Sequence, residues 1–436
     1  MSDPTETYRQ SWSSATPPSV LDFVRSQNIQ DPAVILSLIK TDVDLRVEAG
    51  LPVVVDNYLT DFPESVDRAQ ARRIVVRGQR RRVMAAVPRK PLFSNALDAV
   101  RIIHLSDIHM FRTLVPQEQP PSPEQEGHDL ALCRALCRFQ TDLVAQGTPA
   151  DSLHWIVSGD LTRTGHREEF RTARSLMMKS PTNALAPTSP LGLGVPPGRL
   201  VDCAGNHDHW DGWDEVGFQR LLFPPPARNP QLYPTVFPTQ VAHSCTWRST
   251  QQNFAVEIYT IDSNTGFPVG ASNLLASGRI DPRDFEELER LLEFGLASHT
   301  GNECIRIIVC HHPLTERPQP GLLPAQPLNR LDVERLVQIA IKYRVVAILS
   351  GHTHHAHVLP IDREMWPGRI ETVHEFRAPS ALQRCERDSF RRGFWAHEIH
   401  RDLTGRFLWS ARLVVECGDG FEHSERLGEF FEVPLT

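Results

Sequence analysis

Leu200-Val201-Asp202-Cys203-Ala204-Gly205-Asn206-His207-Asp208 sets a short, largely apolar run directly against a glycine and three side chains that can bind a cation or move a proton. An apolar run of this length bounded by turn formers reads as a buried strand, and open α/β sheets collect their chemistry at the C-terminal ends of such strands. The same join recurs four more times. The run at 100–105 leads to Asp107-Ile108-His109, and that at 155–157 to Gly159-Asp160. The run at 305–310 leads to His311-His312-Pro313, and that at 345–349 to Gly351-His352-Thr353-His354. Each motif alone is weak; five in order, each closing an apolar run, are not coincidence.

Outward from these joins, a sixth run at 254–261 reads as a strand, and helical periodicity marks 128–145, 166–178, 281–296 and 330–343. This alternation predicts an α/β domain. Beyond 371, Phe394-Trp395-Ala396-His397-Glu398-Ile399 and Phe407-Leu408-Trp409 suit late antiparallel strands. Proline-rich inserts at 116–123, 181–197 and 224–238 read as surface loops.

The motif residues form one inventory of metal ligands. In an extended segment residues i and i+2 share a side, so Asp107 and His109 are expected to face one ion, and His352 and His354 likewise. Gly159 and Gly205 let the backbone turn and bring Asp160 and Asn206 close. A carboxylate has two oxygens, so Asp160 is the expected bridge between two cations about 3.5–4 Å apart. Carboxylate, imidazole and amide donors together fit divalent or trivalent Mn, Fe, Zn or Co.

With these five motifs in order over roughly residues 100–410, the chain resembles the calcineurin-like metallophosphoesterase superfamily, and within it the bacterial branch containing class III cyclic-nucleotide phosphodiesterases. The resemblance implies a two-sheet β-sandwich flanked by helices. It implies a first metal held by Asp107, His109, Asp160 and His354, and a second by Asp160, Asn206, His311 and His352. It places His207 against the phosphate as the acid that protonates the leaving oxygen, with Asp208 orienting the imidazole. The implied reaction is in-line attack on phosphorus by a hydroxide activated between two metal ions. Protein phosphatases of the superfamily continue Asp-Arg-Gly after the bridging Asp, whereas here the chain reads Leu161-Thr162-Arg163-Thr164-Gly165. That departure favours small phosphodiesters. A phosphomonoesterase acting on nucleotides or phosphoproteins, and a signalling adaptor that retains the metal site, are the competing readings.

Arg163, His209 and His312 are candidate substrate contacts, each set against a structural role: an exposed arginine, a pocket wall, a strand-end histidine. His104, inside an apolar run, reads as a core histidine, and neither His355 nor His357 is assigned as a ligand.

Upstream, residues 1–18 read as a flexible tail, 19–68 as a helical segment, 69–95 as a basic linker, 96–415 as the catalytic domain and 416–436 as a C-terminal extension. Within 19–68, the periodicity predicts two short helices, then an extended piece at Val43-Leu45-Val47. Leu38-Ile39-Lys40-Thr41-Asp42-Val43-Asp44-Leu45-Arg46, with Gly50-Leu51-Pro52, Asn57-Tyr58-Leu59 and Phe62-Pro63, resembles a short helical module found beside kinase domains in bacterial signalling proteins. That likeness implies a protein partner recruited through residues 19–90. The linker carries Arg72, Arg73, Arg77, Arg80, Arg81, Arg82, Arg89 and Lys90 with no acidic residue among them, which suits a solvated face or a grip on an acidic surface.

A net charge of -7 argues against broad binding to nucleic acid or to a membrane surface, because polyanions are held by dense positive charge. With no leader pattern and no apolar run of spanning length, the cytoplasm is the expected location. The eight cysteines are expected as reduced core thiols, and Cys133 and Cys137 lack partners for a zinc site.

Overall fold

The structure is a computed structural model. It describes residues 3–13, 15–49, 51, 58, 66–68, 70–72, 74–75, 92–94, 96, 98–110, 114–115, 128–149, 152–178, 192–209, 242–251, 253–266, 277–298, 304–315, 327–361, 373–382, 392–402, 404–417, 420–423 and 430–435. The chain divides into two compact units, Met1–Pro91 and Leu92–Thr436.

The first unit is built on helices α1 (Pro4–Ser11), α2 (Val20–Ser26) and α3 (Pro32–Glu48). Helix α1 starts where the Asp3 carboxylate accepts the Thr5 N–H and Pro4 presets the first turn. Residues 1–18 are therefore not the expected flexible tail. Tyr8 is fully buried and donates to Asp42 Oδ1 at 2.8 Å, and Trp12 Nε1 donates to the same oxygen at 2.9 Å. Asp42 Oδ2 accepts Arg46 Nε at 2.7 Å and the Tyr58 hydroxyl at 2.5 Å. The anchor lies 34 residues from Tyr8, beyond any local pattern. Helix α3 also runs through the piece expected to be extended, because Val43 faces the core and Arg46 reaches back one turn to Asp42.

The expected linker 69–95 is described only in part. Ala71 and Val75 are buried in the first unit's core, whereas Leu92 and Phe93 are buried in the second's. Most of the basic run, from Arg73 onward, lies outside the described residues.

The second unit holds two mixed sheets. One runs in the order β14-β13-β12-β1-β4-β5, where β1 is Ala99–Leu105, β4 Leu153–Ser158, β5 Leu200–Cys203, β12 Gly393–Arg401, β13 Phe407–Cys417 and β14 Gly420–His423. Strand β15 (Phe430–Leu435) also pairs with β13. The other runs β10-β11-β9-β8-β7-β6, where β6 is Ala242–Arg248, β7 Ala255–Ile261, β8 Cys304–Val309, β9 Val345–Ser350, β10 His357–Ile361 and β11 Val373–Arg377. A separate pair joins β2 (Leu114–Val115) to β3 (His128–Asp129). Strands β1, β4 and β5 are mutually parallel, as are β7, β8, β9 and β11.

The parallel strands are apolar on both faces because both faces are covered. Ile102, Ile156 and Val201 of the first sheet share a core with Val256, Ile307 and Leu349 of the second, joined by Phe376 and Trp409 stacked 5.5 Å apart. On the outer face of the first sheet, Ile103, Trp155 and Val157 pack with Leu136 of α4 (Leu130–Ala145) and Phe170 of α5 (Arg167–Met178). On the outer face of the second, Tyr259, Ile308 and Ile348 pack with Leu288 of α6 (Pro282–Ser298) and Leu336 of α7 (Arg330–Lys342). The layers are α/β/β/α, and the parallel strands aim their C-terminal ends at one edge.

Two more expectations change. No boundary falls at 415, since β13 crosses it and the last strands extend the same sheet. The insert at 181–197 is not wholly a surface loop: Leu193 and Val195 are buried, and their N–H groups donate to Leu176 O at 2.7 Å and Met177 O at 2.9 Å. The inserts at 116–123 and 224–238 lie outside the described residues. Cys133, Cys137, Cys203, Cys245, Cys304 and Cys310 are free, and among the described residues no helix is long and apolar enough to cross a membrane.

Candidate metal centre

The loops that follow β1 and β4 are pinned to each other by their backbones, as are those that follow β8 and β9. Past β1, the N–H groups of Asp107, His109 and Met110 donate to Gly159 O, Asp160 O and Leu161 O at 3.1, 2.9 and 2.9 Å. Past β8 and β9, Gly351 N donates to His311 O at 3.0 Å. Ser380 Oγ donates to Asp107 O at 2.8 Å, fixing the first loop from the side.

The ligand segments are not extended, as the i, i+2 argument supposed. Asp107, His109, Asp160, His352 and His354 all have left-handed φ, between 47° and 68°. Among the described residues seven non-glycine positions do so, and these are five of them. Such a backbone costs about 1–3 kcal/mol per residue and persists only where the surroundings impose it. Asp107 and His109 still meet one site, because two successive left-handed turns bend the chain around it.

Two clusters result, each with ligand atoms within 4.8 Å of one another: Asp107, His109 and His354, and then Asp160, His311 and His352. In the first, His354 Nε2 lies 3.2 Å from Asp107 Oδ1 and 3.4 Å from His109 Nε2. In the second, His311 Nε2 lies 3.3 Å from Asp160 Oδ2, 3.0 Å from Asn206 Oδ1 and 3.2 Å from His352 Nδ1. Asp160 Oδ2 stands between the clusters, 3.6 Å from His109 Nε2 as well, while Oδ1 accepts the His207 N–H at 2.9 Å. Asp160 thus faces both clusters with one carboxylate oxygen, while the other is taken by a backbone N–H. Close approach requires glycine here. A Cβ at Gly205 would sit 2.1 Å from Asp160 Oδ1, and one at Gly159 would sit 2.4 Å from His311 Nδ1.

The donor set fits a cation. His311 Nδ1 is 2.8 Å from Ser158 O, which obliges that nitrogen to carry the proton and leaves Nε2 with a lone pair. That lone pair points at acceptor oxygens of Asp160 and Asn206, an arrangement that repels itself unless positive charge lies between. Asp107 Oδ1 is fully buried with no hydrogen bond. Burial opposes ionisation of Asp160, yet His311 and His207 hold its carboxyl well below the usual range. Burial likewise opposes a charge on His311, but Asp160 and then Asp107 carry its pKa up to about 9, so a proton competes for the cation's place.

The remaining candidates fall into two kinds. His207 joins His109 and Asp160 in a third cluster, its ring edge-on to His109 at 4.5 Å between centroids and its Nε2 4.0 Å from Asp160 Oδ2. With about a quarter of its side chain exposed, it stands on the accessible side of the centre, as does His354. Asp208 does not orient it. The His207 Nδ1 is 2.6 Å from the Arg163 carbonyl, while the Asp208 carboxylate accepts Leu161 N, Thr162 N, Thr162 Oγ1 and Gly205 N between 2.8 and 3.2 Å. Burial and then the Asp160 charge push Asp208 up to about 6. Asp208 is the post that holds the Asp160 loop against the Asn206 loop, and Arg163 serves the site through its backbone.

His209 and His312 are held by residues that sequence reasoning passed over. Asp262 Oδ2 is 2.9 Å from His209 Nε2, and Ser263 Oγ is 2.8 Å from His312 Nδ1. Asn264 Nδ2 donates to Ala204 O at 3.3 Å. His312 is wholly buried against the His352 ring, 4.4 Å away, so it supports that ligand from behind rather than touching substrate. The signal was present: Asp262-Ser263-Asn264-Thr265 closes the apolar run of β7, just as the five motifs close theirs.

A sequence-family description, Calcineurin-like phosphoesterase, matches residues 100–356. Comparison with curated proteins found no match. Among solved structures, GAP50, the anchor in the inner membrane complex of Plasmodium, is similar with a TM-score of 0.42 at 11% identity, over 78% of this chain and 89% of that one. Phosphopantetheinyl hydrolase from Mycobacterium tuberculosis is similar with a TM-score of 0.30 at 14% identity, over 64% and 89%. Wild-type Vps29 complexed with zinc, from Entamoeba histolytica, is similar with a TM-score of 0.28 at 11% identity, over 77% and 99%.

Proposed function

The chain belongs to the calcineurin-like phosphoesterase family, and from that premise we propose that it hydrolyses small phosphodiesters, cyclic nucleotides among them, with two cations held by Asp107, His109, Asp160, Asn206, His311, His352 and His354. The observation that carries this reading is the convergence of His311 Nε2, Asn206 Oδ1 and Asp160 Oδ2 on one point beside a second cluster that Asp160 Oδ2 also faces. Bound cations of this kind act as Lewis acids on phosphoryl oxygens and lower the pKa of water.

The chain's own residues do the rest. Only two of the seven ligands, Asp107 and Asp160, carry negative charge, so the pocket keeps an attraction for an anionic ester. Arg163 O fixes the His207 ring through Nδ1 and so turns Nε2 toward the accessible side. Burial pulls the His207 pKa down, and the ring is neutral at pH 7 until an anionic oxygen comes against Nε2. Once the ester's anionic oxygen lies against it, Nε2 takes up a proton from solvent and passes that proton to the leaving oxygen. Preference for a diester is supported by Leu161-Thr162-Arg163-Thr164-Gly165, which departs from the Asp-Arg-Gly continuation of the superfamily's protein phosphatases.

Hydrolysis of an aryl phosphodiester and the matched monoester, by Mn²⁺-loaded wild type and by Asn206→Ala, tests the reading. The diester should be preferred and its turnover should collapse in the variant. Preference for the monoester selects a phosphomonoesterase instead, and no turnover of either ester with metal bound selects a narrow-specificity enzyme or an adaptor. The closed core of the first unit around Asp42 supports a module that recruits a protein partner. Deleting residues 1–91 should then abolish recruitment and leave aryl-ester turnover intact.

A further inference from the structure

Strand β11 carries two opposite charges, Glu375 and Arg377, at positions only 1% exposed, in a strand paired on both sides. Burying an ion pair is weak support for stability, because desolvation offsets most of the attraction. Its contacts show another use. Glu375 Oε1 accepts the Leu314 N–H and the Ser350 hydroxyl, each at 2.9 Å. Oε2 accepts Thr315 Oγ1 at 3.2 Å and Arg377 Nη2 at 3.3 Å. Arg377 Nη2 also donates to Thr315 O at 3.0 Å and to Thr315 Oγ1 at 2.8 Å. Leu314 lies three residues after His311, and Ser350 two residues before His352.

We propose that the Glu375–Arg377 pair is a positioning clamp that holds the His311 loop and the His352 loop together, and so sets the affinity of the cation site those two histidines share. The inference rests on the two-cation reading above and adds residues that touch neither metal nor substrate. One carboxylate bonds both loops, so its acceptors fix the distance between them. The guanidinium pairs with that carboxylate and grips the far end of the His311 loop at Thr315. The backbone joins the two strand ends by Gly351 N to His311 O and Cys310 N to Leu349 O, each at 3.0 Å, and the clamp adds bonds beyond them at Leu314, Thr315 and Ser350.

The test titrates the full chain with Mn²⁺ alone by calorimetry, alongside thermal melts. Glu375→Gln keeps the shape but offers one acceptor oxygen in place of two. One of the two Mn²⁺ sites should weaken at least tenfold while the other keeps its affinity. Ser350→Ala removes one of the bonded donors and keeps the test decisive should Glu375→Gln fail to fold; it should weaken the same site several-fold. Glu257→Gln is the control, since Glu257 pairs with Arg306 in an equally buried salt bridge at 2.9 Å on β7 and β8. It should lower the melting temperature and leave both Mn²⁺ affinities unchanged. If wild type binds two ions and Glu375→Gln and Ser350→Ala bind both as tightly, the clamp is overturned and the two-cation reading stands. If wild type itself binds fewer than two, both fall.

Discussion

Replacing Gly205 by alanine would place a methyl carbon 2.1 Å from Asp160 Oδ1, 2.3 Å from Asp160 N and 2.7 Å from Asp160 Cγ. Ordinary contact begins near 3.4 Å, so the Asp160 loop must retreat by about 1 Å, and a backbone atom cannot swing aside as a side-chain tip would. Forcing extra atoms into a packed site costs about 1–3 kcal/mol. The retreat acts on the one oxygen lying between the clusters, 3.6 Å from His109 Nε2 and 3.3 Å from His311 Nε2. A displacement of about 1 Å at reacting groups costs about 100-fold in rate. Gly205→Ala should therefore lose about two orders of magnitude in aryl phosphodiester turnover and bind Mn²⁺ more weakly, while melting only modestly lower. Gly198→Ala, where a Cβ meets nothing within 4 Å, should match wild type in every assay. Full turnover by Gly205→Ala would show that Asp160 is not held where the chemistry needs it.

Asp208→Asn should destabilise the protein by about 2–4 kcal/mol in denaturant unfolding, because four donors converge on a carboxylate and an amide offers a single acceptor oxygen. Because Asp208 acts on the loops rather than on His207, the pH profile of the residual activity should keep the wild-type shape; a changed shape would return Asp208 to the imidazole. Acid should weaken the metal-free fold through His104 and His154, whose pKa values burial pulls down to about 3. Their folded pKa lies below the unfolded value near 6.5, so the unfolded chain binds protons first, and stability is lost from about pH 6.5 toward pH 3. At pH 5 each should cost about 2 kcal/mol, and His154→Phe should flatten the dependence of unfolding free energy on pH between 5 and 7.

The layered fold was legible because its parallel strands are apolar on both faces and of strand length, and the clustered Asp and His residues because each follows such a run. What escaped was what distance creates. The left-handed backbone at Asp107, His109, Asp160, His352 and His354 has no glycine to announce it and is imposed by neighbouring loops. Tyr8 and Trp12 look like tail residues until Asp42 is brought to them. Asp208 follows His207 in sequence and invited a pairing with it, yet its side chain turns to Thr162, 46 residues away. Glu375 joins Leu314 across 61 residues, and Ser94 N meets Glu398 across 304. Asp262 is legible by the strand-end rule, since Asp262-Ser263-Asn264 follows the apolar run of β7.

The most direct measurement is the metal content of Mn²⁺-reconstituted wild type and Asp160→Ala, read by elemental analysis beside phosphodiester turnover on the same samples. The account predicts two ions per chain in wild type, and in the variant the loss of at least one together with the loss of turnover, since Asp160 Oδ2 serves both clusters. Two ions and undiminished turnover in Asp160→Ala would contradict it.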